Sequence, residues 1–387
     1  MKSSAALLLL LLLAPLSGLA ATSGLRKIKD VVVYSAPTFH CAFPSAVRLS
    51  DGELLVAFRR APNRQLFGEA TNYHVDPNSY LVAVRSRDGG ETWTAQPELI
   101  HADAFGGSQD PCLLQLRDGT LLCTGYGWTF VRPDGLARLK QPILQNGLGA
   151  VFNGGYWLRS TDGGKNWRGP FYPPHIPPEL ANGPTGQPVP AYNRGALAEG
   201  HDGRLFWAVA AHDRLAPEPG TSVHLLVSDD RGASWSYACQ IAKDTYVQFN
   251  ETSLYETPRG DLIAFLRTEN NKDEACIARS TDGGKTFQPW QGMGFQGYPL
   301  HALRLPDNRV LLTYGYRHPP MGIRARVLNA ECTDFATAPE FVLRDDGVSS
   351  DLGYPWSVLV DDKHVFVAYY FNTGDVPHIA GTLLAIP

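Results

Sequence analysis

The chain has 387 residues, of which 38 are glycine and 29 proline, with 44% hydrophobic residues and a formal net charge of −4. This balance, without any basic block, argues against nucleic acid as a partner. Beyond the first residues, no run approaches the roughly 20 apolar positions that a membrane helix needs.

The first element is a leader. Lys2, an apolar run over residues 5–13 and the small-residue exit Gly18-Leu19-Ala20-Ala21 have the layout of a secretory signal peptide, expected over residues 1–21. The protein is therefore expected to be soluble and either secreted or periplasmic, with residues 22–387 forming one domain. Short strand-like runs separated by Gly and Pro make an all-β reading the first choice.

Six hairpins follow in order, each an apolar strand, a tight polar turn and a second apolar strand. They are Leu49-Ser-Asp-Gly-Glu-Leu-Leu, Leu116-Arg-Asp-Gly-Thr-Leu-Leu, Gly200-His-Asp-Gly-Arg-Leu-Phe, Thr257-Pro-Arg-Gly-Asp-Leu-Ile, Leu305-Pro-Asp-Asn-Arg-Val-Leu and Val360-Asp-Asp-Lys-His-Val-Phe. Asp-Gly between alternating apolar runs marks a hairpin because the turn calls for positive φ. Four of the hairpins are followed by a second motif: Ser86-Arg-Asp-Gly-Gly-Glu-Thr-Trp, Ser160-Thr-Asp-Gly-Gly-Lys-Asn-Trp, Ser228-Asp-Asp-Arg-Gly-Ala-Ser-Trp and Ser280-Thr-Asp-Gly-Gly-Lys-Thr-Phe. These resemble the Asp-box repeat, in which the carboxylate accepts backbone N–H bonds inside the turn and the aromatic ring packs beneath it. The boxes are read as structural turns, and residues 329–335 as a decayed one.

Each repeat is thus a blade of four antiparallel strands, and six blades arranged radially give a β-propeller with an axial channel. Residues 169–189, rich in Pro and Gly, are expected to form a loop over one face. Six cysteines are scattered without metal-ligand spacing; most are expected as buried thiols, with room for one or two disulfides.

Aligning the blades on the turn positions Gly52, Gly119, Gly203, Gly260, Asn308 and Lys363 gives two rings. Nine residues upstream stand Phe43, Asp110, Arg194, Glu251, Pro299 and Tyr354; seven downstream stand Arg59, Tyr126, Ala210, Arg267, Gly315 and Tyr370. Both ends of a hairpin lie on one face, so the rings should surround one channel mouth. Charges facing each other there call for pairing or for a ligand.

These positions resemble the sialidase superfamily, and the resemblance spans the chain after the leader. Phe249-Asn-Glu-Thr-Ser is similar to the family's N-E-x segment, Leu266-Arg267-Thr to its following arginine, and Gly353-Tyr354-Pro-Trp-Ser-Val to the strand of its nucleophilic tyrosine. The resemblance implies Tyr354 as nucleophile, Glu251 as its base and Arg267 as a clamp on a substrate carboxylate. Two family features are missing. The opening Y/F-R-I-P motif is here Cys41-Ala42-Phe43-Pro44, and the acidic partner of its arginine is replaced in Val367-Ala-Tyr-Tyr370. His40, Arg59 or Arg60 could supply the lost charge, and Arg317 is the candidate for a further clamp arginine. The general acid should lie between the first hairpin and the first box, where Glu69, His74 and Asp76 stand and Asp76 is preferred. Asp110, Arg194 and His301 are further expected ligand contacts.

The resulting expectation is an exo-acting, retaining glycoside hydrolase that releases a terminal acidic sugar, acts as a monomer on glycans and needs no cofactor or catalytic metal. The alternatives are an enzyme of another specificity on the same propeller (an α-L-rhamnosidase, an arabinanase or a uronate lyase using His40 or His301), or a non-catalytic glycan binder.

Overall fold

The computed structural model describes residues 24–69, 74–145, 149–215, 219–374 and 376–387. The expected leader over residues 1–21 lies outside them. Among the described residues no helix is long and apolar enough to cross a membrane. Six antiparallel sheets stand radially, each built on a path of four strands, and their innermost strands pack on one another around an axis. The second sheet carries one extra short strand, Leu144–Gln145, on its third strand, Ala150–Ser160.

The inner two strands of each blade are the hairpins expected from the sequence. They are Phe39–Arg48 with Leu54–Pro62, Gly106–Gln115 with Leu121–Phe130, Ala198–Glu199 with Leu205–Arg214, Gln248–Glu256 with Leu262–Glu269, Leu300–Arg304 with Val310–Tyr316, and Gly353–Asp361 with His364–Phe371. Positive φ is present at Gly52, Gly119, Gly203, Gly260 and Asn308, between 68° and 90°. Lys363 differs. The sixth turn is tightened by a direct Asp361–His364 pairing, and the Asp361 carboxylate accepts the Lys363 N–H at 2.7 Å, so no left-handed residue is needed.

The boxes behave as turns. In the first, Asp88 Oδ1 accepts the Thr92 N–H at 2.9 Å and Ser86 Oγ accepts the Gly90 N–H at 2.8 Å. The pattern repeats at Asp162, Asp230 and Asp282. Each box sits in the seam with the preceding blade. A Cβ on Gly90 would lie 2.8 Å from Phe366 of blade six, and one on Gly232 would lie 2.7 Å from Leu122 of blade two. The decayed box keeps its turn through Asn329, whose side-chain oxygen accepts the Thr333 N–H at 3.1 Å.

Blade six is completed by the N-terminal strand, Arg26–Tyr34, which pairs antiparallel with His378–Ala385. This closes the ring and leaves that edge paired. All six cysteines are free thiols, five of them buried, so no disulfide forms.

Candidate active site

Four blades share one irregularity where the first strand enters the rim. The ladder breaks between Ala42 and Ser45, Gln109 and Cys112, Asn250 and Ser253, and Gly353 and Trp356. Within each break one residue takes left-handed backbone: Phe43 at φ 59°, Asp110 at 52°, Glu251 at 39° and Tyr354 at 55°. For residues with a Cβ this costs roughly 1–2 kcal/mol each. Such a bulge re-aims a side chain away from the sheet face, and here it turns four side chains toward the axis. In blade three the inner strand is interrupted instead. Tyr192 makes a lone bridge to Ala210, the strand resumes at Ala198, and Arg194 projects from the gap. Gly195 comes so near the Thr252 carbonyl that a Cβ would lie 2.0 Å from its oxygen, which only glycine permits.

These residues meet around one cavity of about 370 Å³, within the range of small-molecule sites. Phe43, Asp110, Arg194, Glu251 and Tyr354 of the upstream ring line it, as do Tyr126, Ala210 and Arg267 of the downstream ring. The loop after residue 169 contributes Glu179, Pro190, Tyr192 and Asn193.

At the floor, the Tyr354 hydroxyl donates to Glu251 Oε1 at 2.6 Å. The Arg267 guanidinium donates to Glu251 Oε2 and, at 3.1 Å, to the Tyr354 oxygen. Asn193 Oδ1 accepts the Glu251 backbone N–H at 2.6 Å, which fixes the bulge. Burial favours a protonated Glu251, but Arg267 and Arg194 outweigh it and hold the carboxyl below its ordinary range. Burial and the Glu251 charge push the Tyr354 phenol well up, against the pull of Arg267 and Arg317. The phenol is therefore protonated at rest, so any ionisation must be coupled to proton transfer onto Glu251. Asp110 is pushed to about 7 by burial, partly offset by Arg194, and it accepts a hydrogen bond from Tyr126 at 3.2 Å.

Three guanidiniums surround the Tyr354 ring region. Arg194 lies 4.3 Å over the Tyr354 ring and donates to the Pro44 carbonyl at 2.8 Å. Arg267 and Arg317 stack on Tyr298, at 4.5 and 5.1 Å from its centroid. Arg317 also donates to the Tyr370 hydroxyl at 3.2 Å.

Other expectations need correction. Asp76 is 2% exposed and is held bidentately by Arg64, at 2.7 and 2.8 Å, so it is engaged in an ion pair away from the cavity wall. Glu69 leans on the same Arg64. Arg59 and His40 are 0% and 1% exposed and contact each other at 3.2 Å beneath the wall, so neither replaces the lost clamp charge at the cavity surface. The space of that lost ion pair is instead filled by packing, with Ala42 fully buried and Phe43 edge-on to Tyr370 at 5.4 Å. His301 lies outside the cavity lining, stacked on Trp356 at 4.5 Å, and its Nδ1 accepts the Ser357 N–H at 3.2 Å. Burial and then Arg194 push it down to about 3.

Two histidines line the cavity: His212, paired with Glu179 at 3.2 Å, and His74, which the sequence offered beside Glu69 and Asp76 as a candidate general acid. The partner of His74 is Asp351, which carried no signal at all, at 2.9 Å. His40, His74 and Asp351 bring three ligand-type atoms within 4.8 Å of one another, a grouping that sequence spacing did not reveal. Several buried polar atoms on or beside the wall have no protein partner, among them Asp110 Oδ1, Trp128 Nε1, Asn193 Nδ2, Arg194 Nε and Arg267 Nε. Buried polar atoms left without a partner call for one.

The fold is a six-bladed β-propeller, and its repeats are those of a BNR-like propeller domain. A family model described as a BNR repeat-like domain matches residues 146–367, and the chain belongs to that family. Among solved structures, a protein of unknown function from Dyadobacter fermentans is 63% identical, with TM-score 0.92 over 94% of this chain and 100% of that one. A mutant of the NanB sialidase from Streptococcus pneumoniae is 15% identical, with TM-score 0.60 over 92% of this chain and 70% of that one. An α-L-arabinanase from Penicillium chrysogenum in complex with arabinobiose is 15% identical, with TM-score 0.64 over 93% of this chain and 99% of that one. At such identity the last two share the fold. No curated protein matches the chain.

Proposed function

We propose that this protein is an exported, monomeric exo-glycoside hydrolase that releases a terminal acidic sugar, sialic acid first, with retention of configuration. The observation that carries this reading is the buried Tyr354–Glu251 hydrogen bond of 2.6 Å with Arg267 bridging both partners. A binding module has no use for a carboxylate set to take a phenolic proton. In the first step the Tyr354 oxygen attacks the anomeric carbon while its proton passes to Glu251, so no free phenolate has to form in a buried site. Because the attacking group is neutral at rest, it does not repel an anionic sugar. Arg267 and Arg317, side by side on Tyr298, supply a two-guanidinium seat for the sugar carboxylate. Water then releases the sugar in a second displacement, and two inversions retain configuration.

Incubation with sialylated glycans and, separately, with uronate polysaccharides tests the reading. Free sialic acid, appearing first as the anomer of the substrate by NMR, is the expected result. Absorbance of an unsaturated uronate, or no product from either class, would overturn it.

A further inference from the structure

The proposed displacement leaves one proton unassigned, that of the departing oxygen. We propose that His74, oriented by Asp351, is the acid and base that handles it; this rests on the retaining-hydrolase reading above. Tyr354 is 4% exposed at the cavity floor, whereas the His74 side chain is 44% exposed at the rim of the same cavity. Phe43, fixed by its left-handed bulge, packs on both, 4.8 Å from the Tyr354 ring and 5.1 Å from the His74 ring. A sugar whose anomeric carbon rests on the Tyr354 oxygen points its leaving group outward, toward His74.

The supports behind His74 form a chain. Asp351 Oδ1 holds His74 Nε2 at 2.9 Å, Asp351 Oδ2 holds His40 Nε2 at 3.1 Å, and Arg59 NH1 meets His40 Nδ1 at 3.2 Å. Arg59 can only donate, so His40 Nδ1 accepts and its proton sits on Nε2, pointing at Asp351. That tautomer decides against a metal ion in the group, because His40 Nε2 has no lone pair to offer. Asp351 is thereby left as an anion that fixes His74 with Nε2–H toward it and Nδ1 toward the cavity.

In the first step Nδ1–H gives its proton to the glycosidic oxygen as the C–O bond breaks and the Tyr354 oxygen bonds to the carbon. In the second, Nδ1 takes a proton from water as the water oxygen bonds to that carbon, and Glu251 returns its proton to the departing phenol.

The test compares two probes, the 4-nitrophenyl α-glycoside of N-acetylneuraminic acid and sialyllactose. The aryl group leaves without a proton and the lactosyl group does not. His74→Gln is expected to lower turnover of sialyllactose on the order of 10²–10³-fold and to slow bond cleavage of the aryl probe far less. Added azide should speed the slow second step with the aryl probe. Asp351→Asn should show the same leaving-group split to a smaller degree, with an unchanged melting temperature, as a positioning residue would. Equal losses on both probes, or none, overturn the dyad while Tyr354→Phe, inactive on both, still upholds the hydrolase. Wild-type protein that cleaves neither probe overturns both. Activity lost to a chelator and restored by zinc would assign the three side chains to a metal instead.

Discussion

The floor of the cavity couples two groups that each alone would be poor at their task. Burial keeps the Tyr354 phenol protonated, and Arg267 and Arg194 keep Glu251 ionised and ready to accept. Removing either should therefore disable the same event. Tyr354→Phe deletes one oxygen from a ring that still packs, and its turnover is expected to fall on the order of 10³-fold or more. Glu251→Gln should fall comparably, and the double variant little further, because groups acting as a unit do not lose rate additively. Wild-type kcat for Tyr354→Phe would exclude the tyrosine nucleophile. Asp110 allows a separate test by stability. Its carboxyl is raised from 3.8 to about 7 by burial, so the folded state holds a proton that the unfolded state has released. The sign follows from linkage: this contribution is fully present below about pH 4 and is lost as pH rises through about 7. Asp110→Asn has no such proton to lose. Its stability relative to wild type, from urea melts, should climb between those limits and then level off. A flat difference would mean that Asp110 is ionised in the fold.

The working unit at the next scale is the bulged entry strand. Phe43→Ala and Phe43→Gly both delete the ring, so comparing them isolates the backbone. At φ 59° the glycine variant should be the more stable by about 1 kcal/mol in a urea melt; the reverse order would show that the bulge is unstrained. The same element explains what could be read in advance. Hairpin turns and boxes are written in contiguous residues, where Asp51 and Gly52 or Ser86 and Asp88 meet their own neighbours, so they were legible. Counting from those turns also brought Asp110, Arg194, Glu251, Arg267 and Tyr354 to one mouth, because the bulges recur at the same offset and leave the count intact. The bulges themselves have no residue signature: Phe, Asp, Glu and Tyr occupy the four left-handed positions. Sequence spacing alone leaves Glu69, His74 and Asp76 as candidates for the acid, with Asp76 preferred. Only the fold shows Arg64 occupying Asp76, and Asp351 holding His74 from 277 residues away.

At the scale of the whole molecule, six similar blades make a ring only if the last sheet is closed. Nothing in residues 26–34 read as a blade strand, because its partner is over 340 residues away and its short run Val31-Val32-Val33, after the charged Arg26–Asp30 stretch, is unremarkable alone. The closure puts Asp30 within 2.7 Å of the Thr382 hydroxyl and Tyr34 against Phe58 of blade one at 5.1 Å. Deleting residues 24–34 would expose the edge of His378–Ala385 and strip packing from both terminal blades. We expect the deletion to lower stability by several kcal/mol, on the order of one buried aromatic plus one strand edge, and to expose a surface that promotes association. A circular permutant separates loss of the strand from loss of the covalent order. Gly24 already lies beside Pro387, where a Cβ on Gly24 would come within 3.0 Å of the proline ring, so the two can be joined by a short linker and new ends opened in the turn at residues 36–38. In the permutant the closing strand reaches blade six from the C-terminal side, in the same register. Its urea midpoint should stay near that of the parent while the deletion's falls. A permutant as unstable as the deletion would show that the ring depends on closure by the chain start, rather than on the paired edge.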